Sequence, residues 1–218
     1  MRKRAFITGA SSPIGRALAC EFARGGFDLF MTGRKTSVLR RNAAELRKQF
    51  AVEFDYLSAD LADKVSTDGL ISAISKLDFD VLVNIPESEY ASLYEADSDK
   101  RSALLHSRLW SAVSLTNQVL GRMVRLGSGR ILNVTPPFRI GNTPIEHFSQ
   151  FYRSTMIAYS TAIANELTPY GITVTVGCLG SLEPSSIFLN KRNTLRDGKL
   201  IARTLYKETL NGKGFASA

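Results

Sequence analysis

The residues best spaced for chemistry lie near the amino terminus, in Thr8-Gly9-Ala10-Ser11-Ser12-Pro13-Ile14-Gly15. Four small residues, Gly9 to Ser12, permit a tight turn. Ser12 suits a helix N-cap, and Pro13 suits the first helical position, where its missing N–H costs little. Such a turn aims backbone N–H groups and the positive end of a helix dipole at one point, which fits a phosphate. The alternative is a plain strand-to-helix turn closed by small residues. A second group of interest is Gly33-Arg34-Lys35, where the next strand ends. Dinucleotide sites place an acid here to accept from a ribose 2′-hydroxyl, or an Arg to accommodate a 2′-phosphate. Arg34 with no acid beside it therefore favours NADP over NAD; the alternative is a solvated basic turn. Asp60, after the third strand, faces the sheet edge where ligands lie in parallel sheets.

These groups need a frame, and the chain alternates strand and helix patterns. Strands are expected at about 4–7, 27–32, 54–57, 81–84, 130–135 and 171–176, the last apolar enough to be buried on both faces. Helices are expected over 14–24, 37–50, 65–77, 100–126, 148–167 and 200–210, with Ile14, Leu18 and Phe22 marking the first by four-residue spacing. Gly127 suits the end of the long helix, and Pro136-Pro137 forbids continuation of the fifth strand. The alternation implies an α/β fold, a doubly wound parallel sheet in a single domain over 1–218. No seventh strand is evident, so the tail at 182–218 reads as shortened.

With 218 residues, 44% hydrophobic and 22% charged, the chain suits one soluble globular domain. A net charge of +8 favours anionic partners. Nucleotide phosphate fits this better than nucleic acid, because no recognition motif or basic–aromatic cluster accompanies the charge. Cys20 and Cys178, with His106 and His147, lack metal-ligand spacing, and no metal is expected. No run has the apolar length of a membrane span, and the basic start reads as the lead-in to the first strand rather than a signal peptide. A cytoplasmic protein is expected.

Several stretches together resemble the short-chain dehydrogenase/reductase family over about residues 4–182. They are TGASSPIG at 8–15, TGRK at 32–35, DLAD at 60–63, DVLVN at 80–84, GSGRILNV at 127–134 and NELTPYGITV at 165–174. The resemblance implies a Rossmann-type fold and a nicotinamide cofactor at the carboxyl edge. It implies contacts from Gly9, Ser11, Ser12, Ile14 and Gly15 on the diphosphate side. Asp60 and Leu61 would lie by the adenine, Asn84 beside the adenosine ribose, and Arg34 at a 2′-phosphate. It also implies a homodimer or homotetramer, with the long helix and the next helix packing across a two-fold axis; these carry Leu104, Trp110, Val113, Leu120, Phe151, Tyr159 and Ile163.

The departures are as informative. Pro13 stands where the family has a glycine, which a helix start tolerates. After the fourth strand the family reads Asn-Asn-Ala-Gly, and here Asn84-Ile85-Pro86-Glu87 adds bulk and negative charge in the cofactor's path. Leu179-Gly180 stands for the family's Pro-Gly. Family enzymes use a Tyr with a Lys four residues on, a Ser at the preceding strand end and an Asn on the long helix. Reading back without gaps from NELTPYGITV puts these positions at Ser149, Arg153, Pro136 and Arg108. Ser149 is too weak an acid to replace the Tyr, and Arg153 supplies charge but no proton. Pro136 has no side-chain donor.

Thr135, one residue away, and Tyr152, in the next helical turn, are candidate substitutes, while His147 reads as a surface or capping residue. Three readings follow, in this order. The first is a nucleotide-binding family member without standard turnover. The second is an atypical NADP-dependent oxidoreductase using Thr135, Tyr152 or Arg153. The third is a non-redox enzyme on the same fold. The partner is otherwise an unidentified small molecule or protein.

Overall fold

A computed structural model describes residues 2–86, 98–136, 144–179 and 191–217. One parallel sheet holds β1 (Arg4–Ile7), β2 (Asp28–Gly33), β3 (Phe54–Ser58), β4 (Val81–Asn84), β5 (Gly129–Thr135), β6 (Ile172–Cys178) and β7 (Phe215–Ser217), in the order β3-β2-β1-β4-β5-β6-β7. The helices are α1 (Pro13–Arg24), α2 (Thr36–Arg47), α3 (Lys64–Ile74), α4 (Ser98–Leu105), α5 (Ser111–Leu126), α6 (Pro144–Leu167) and α7 (Lys191–Leu210). This is the Rossmann-type, doubly wound single domain that the alternation implies.

Strand pleating sends neighbouring side chains to opposite faces. In β1, Ala5 and Ile7 join a core with Leu18, Phe22, Leu39 and Leu205, while Phe6 joins a second with Leu70, Leu115, Met123 and Ile131. Both faces of the sheet are therefore covered, α1, α2 and α7 on one and α3, α5 and α6 on the other.

The expected absence of a last strand is corrected. β7 pairs in parallel with β6, Val176 opposite Phe215 and Cys178 opposite Ser217. Three residues are too few to carry a periodic signal, and they follow a turn at Gly212 with φ +71°. Pairing with the β6 edge makes the strand: Ala216 is buried in the core while Phe215 stays half exposed. α7 also begins nine residues before the expected start at 200.

A second difference lies in the long helix. It runs from 98 to 126, starting two residues before the expected 100, with a π turn over His106–Trp110 between α4 and α5. Such turns insert one residue and are common near functional sites.

Candidate functional site

β1 has β2 on one side and β4 on the other, so successive connections leave the sheet in opposite directions there. The crevice at this switch point, outside the carboxyl ends of the strands, is the ligand position of doubly wound folds. Its floor is the turn after β1. Gly9 has φ +59°, a conformation that an L side chain resists, and a Cβ there would lie 2.9 Å from the Ile85 carbonyl oxygen. A Cβ on Gly15 would overlap the Gly9 carbonyl, so these two glycines let α1 start directly against the turn. The Ser12 N–H donates to the Gly9 carbonyl at 2.9 Å, and the Ser12 hydroxyl accepts from the Gly15 N–H at 3.1 Å. Pro13 occupies the first helical turn, as expected. Among the described residues the chemistry of this turn suits an anion: small side chains, a capped helix start and the hydroxyls of Ser11 and Ser12.

Asn42 holds the turn from behind. Buried on α2, it donates from Nδ2 to the Ala10 carbonyl at 3.1 Å, and its Oδ1 has no partner. The sequence reading passed over it; its only signal was a poor helix former in mid-helix on the face shared with Leu39 and Leu46.

Arg34 follows β2 at the same edge and is half-buried. Its carbonyl accepts from the Ser58 hydroxyl at 3.0 Å. Ser11 lies over Gly33, where a Cβ would come within 2.9 Å of the Ser11 Oγ. Ser11 and Arg34 are thus brought together at the end of β2. Asp60 accepts from the Ala62 N–H through Oδ1 at 2.9 Å, which fixes its carboxylate in the turn before α3. Leu61 is buried, and its carbonyl lies 3.1 Å from Nδ1 of His106 in the π turn.

Asn84 ends β4 and is buried. Its Nδ2 donates to Asn133 Oδ1 at 2.9 Å, and Asn133 Nδ2 donates to the Ser160 hydroxyl at 2.8 Å. Its own Oδ1 has no partner. Thr116 lies 3.5 Å from Asn84 Nδ2 and also bonds the Tyr159 phenol, whose pKa burial pushes above its usual value. This interior chain ties α5 and α6 to β4 and β5. A small recess at the crevice is lined by Thr8, Leu61, Asn84, Ile85, Pro86, Ser111, Ala112 and Tyr152. Glu87 lies outside the described residues.

The family-register positions sit at the ends of β5 and β6 and on α6. Pro136 is buried at the tip of β5. Thr135 is fully buried, with its hydroxyl 3.4 Å from the Gly177 carbonyl of β6. Ser149 is buried, and Arg153, one turn on, donates from Nη1 to the Leu179 carbonyl at 3.2 Å. Tyr152 is 2% exposed and packs with Ala112 of α5 and Met156. Position 108 falls within the π turn, and His147 is exposed. The structure thus gathers Gly9, Ser11, Ser12, Gly15 and Arg34 at one end of the crevice. Ser149 and Arg153 share a face of α6 beside the tip of β6.

Among the described residues no helix is long and apolar enough to cross a membrane, and no group of three His, Cys, Asp or Glu side chains is placed to hold a metal.

The family model described as short chain dehydrogenase matches residues 3–195. A very-long-chain 3-oxoacyl-CoA reductase of Laccaria bicolor is 29% identical over 175 residues, covering 78% of this chain and 52% of the relative, so the chain spans about half of that protein's length. Among solved structures, the bulky-bulky ketone specific alcohol dehydrogenase of Comamonas testosteroni superposes with a TM-score of 0.83 at 21% identity, over 99% of this chain and 85% of that one. A short-chain dehydrogenase of Sphingobium yanoikuyae, in complex with NADPH, gives 0.80 at 20%, over 99% and 87%.

Proposed function

The chain belongs to the short chain dehydrogenase family, and from that premise we propose that it is an NADP(H)-type dinucleotide-binding protein that has lost the family's proton-handling side chains, a catalytically degenerate or repurposed member. The dinucleotide's diphosphate would rest on Gly9, Ser11, Ser12, Ile14 and Gly15 at the start of α1. Its 2′-phosphate would meet Arg34 and Ser11, and its adenosine would lie between Asp60, Leu61 and Asn84. The NADPH complex of the Sphingobium yanoikuyae relative supports this choice of cofactor. A reduced nicotinamide, when bound, supplies a hydride.

The observation that carries the proposal is the residue set at the other end of the crevice. Hydride delivery to a carbonyl needs a proton donor with a pKa near working pH. Pro136 offers no donor. Ser149 offers a buried hydroxyl, too weak an acid to replace a phenol. The Arg153 guanidinium supplies charge but no transferable proton, and it donates to the Leu179 carbonyl. Thr135 faces the Gly177 carbonyl in the sheet. Tyr152 lines the small recess beside Asn84 but is packed against α5, and swinging a ring of that size out of its packing costs about 3 kcal/mol. These positions support binding without ordinary carbonyl reduction.

The half-exposed Trp110 and Phe151, from the π turn and α6, support the homodimer that the family resemblance implies. A sedimentation mass equal to one chain would refute that part.

The test combines binding with turnover. NADPH should raise the melting temperature of the purified protein and quench its fluorescence, while simple ketones should not be reduced. The combined variant Pro136→Ser, Ser149→Tyr, Arg153→Lys should gain reductase activity. Brisk ketone reduction by the unaltered protein would overturn the degenerate reading, and failure to bind NADPH would overturn the cofactor assignment.

A further inference from the structure

The opposite edge of the sheet holds a cavity of about 380 Å³ that no part of the nucleotide reading uses. It opens below the amino ends of β1, β4 and β5, between the carboxyl ends of α1 and α7. Its volume lies within the about 300–1,000 Å³ of small-molecule sites. One wall is apolar: Phe27, Val81, Leu210 and the ring of Tyr206. The Tyr206 ring is fixed edge-on against Phe22, and its hydroxyl lies so close to Gly25 that a Cβ there would overlap it.

The polar wall carries three charged side chains, Lys3, Arg130 and Asp80. Lys3 and Arg130 both line the cavity, and among the described residues neither forms an ion pair. Arg130 donates from Nη1 to the Gly129 carbonyl at 2.9 Å, which orients the guanidinium and leaves its remaining N–H groups for another acceptor. Asp80 shares the cavity but is engaged by the Arg4 N–H, at 2.7 Å from its Oδ2.

We propose that this cavity is a binding site for a small amphipathic monoanion, its carboxylate held by Arg130 and Lys3 and its apolar body lying on Phe27, Val81, Leu210 and the Tyr206 ring. Two cations against one carboxylate set the sign of the ligand's charge. Its size is limited by the helix ends. α1 ends at Arg24, α7 at Leu210 and α5 at Leu126, so three helix carboxyl ends lie beside the site. Their partial negative charges and Asp80 act against any anion, and more strongly against a dianion than a monoanion, so the carboxylate depends on direct hydrogen bonds from Arg130 and Lys3. Burial, and after it the nearby Glu21 charge, push the pKa of the Tyr206 phenol above its usual value.

The test uses the full chain, labelled with nitrogen-15, titrated with 3-phenylpropanoate, 3-phenylpropanamide and phenyl phosphate. Saturable amide shifts are expected at Lys3, Phe27, Val81, Ser128 and Tyr206. The amide and the phosphate should each bind about tenfold more weakly than the carboxylate. Arg130→Gln should cost a similar factor, and Leu210→Trp, which fills the cavity without changing charge, should abolish the shifts. NADPH binding should be the same in all of these proteins, so the result is independent of the nucleotide assignment. Equal affinity for acid and amide, shifts at the carboxyl edge instead, no saturation at millimolar ligand, or undiminished binding by Leu210→Trp would each overturn the proposal. If Arg130→Gln does not fold, the ligand series and Leu210→Trp decide.

Discussion

Asn42 gives the sharpest test of how the phosphate turn is held, because its two amide atoms have opposite fates. Nδ2 satisfies the buried Ala10 carbonyl, while Oδ1 is buried with no partner. Asn42→Ala leaves the carbonyl without its donor, a cost of about 1–3 kcal/mol, and opens a small cavity. The same change removes the orphan oxygen and improves helix propensity, returning about 1 kcal/mol or slightly more. The net expectation is a loss of about 1 kcal/mol.

Asn42→Asp keeps the shape but replaces the donor with an oxygen. At neutral pH it sets a carboxylate against the Ala10 carbonyl in the interior, and about 3 kcal/mol or more should be lost. The introduced carboxyl must then have a folded-state pKa above its unfolded value of about 4. Its penalty is complete above the folded pKa and is relieved as pH falls toward the unfolded value. Relative to the unaltered protein at each pH, Asn42→Asp should therefore recover stability on acidification, since the protonated form can donate to Ala10. Urea unfolding midpoints at neutral and mildly acid pH measure this directly. Equal stability of the Ala and Asp variants at neutral pH, or no relative recovery in acid, would refute the assigned hydrogen bond.

Three further outcomes follow from the site. Arg34→Ala should weaken NADPH binding by about 1.5–3 kcal/mol while leaving NADH unchanged, as read by fluorescence titration. Gly15→Ala should lower the melting temperature and abolish NADPH stabilisation, because the new Cβ overlaps the Gly9 carbonyl in the turn itself; a normal thermal response would show that the turn is not rigid. The phenols of Tyr159 and Tyr206 are both raised by burial, so the unfolded chain ionises them first. Stability should hold up to the usual tyrosine pKa of about 10 and fall as pH rises toward the folded values. Tyr159→Phe should flatten part of that alkaline loss in urea melts.

The sheet was legible because its strands announce themselves by short apolar runs and its helices by four-residue spacing, and β4 falls at 81–84 as expected. What escaped had no local signal. β7 exists because β6 offers an unpaired edge, which a three-residue tail sequence cannot disclose. The π turn keeps ordinary helical residues on both sides, so periodicity reads straight through it. At the site, the glycine turn and Arg34 were visible from residue type. Asn42, the His106 contact and the links from Asn84 to Asn133 and from Asn133 to Ser160 were not, since each acts through a partner 27 to 49 positions away. Tyr152 was ambiguous in sequence, either a substitute acid or a partly buried helix aromatic; it is buried against Ala112 and Met156 while also lining the small recess at the crevice.

The two halves of the crevice are built from different elements, and this explains how one can persist while the other changes. The nucleotide end depends on backbone: Gly9 and Gly15 admit the turn, Ser12 caps α1, and the β1–β4 contact runs through the Thr8 hydroxyl, which accepts from the Ile85 N–H at 2.9 Å. Altering any of these disturbs the packing of α1, with Leu18 and Phe22, against the sheet, so stability alone retains them. The positions that the proposed register aligns with the family's catalytic residues, 136, 149 and 153, are side-chain choices at a strand tip and on one helix face. Pro136 ends β5, Ser149 is small enough to bury, and Arg153 ties α6 to the end of β6 through Leu179. Each has a structural use that requires no proton transfer. On the proposed reading, folding stability constrains the cradle strongly and the proton donors hardly at all, so a protein that needed only to bind a dinucleotide would keep the first while the second drifted.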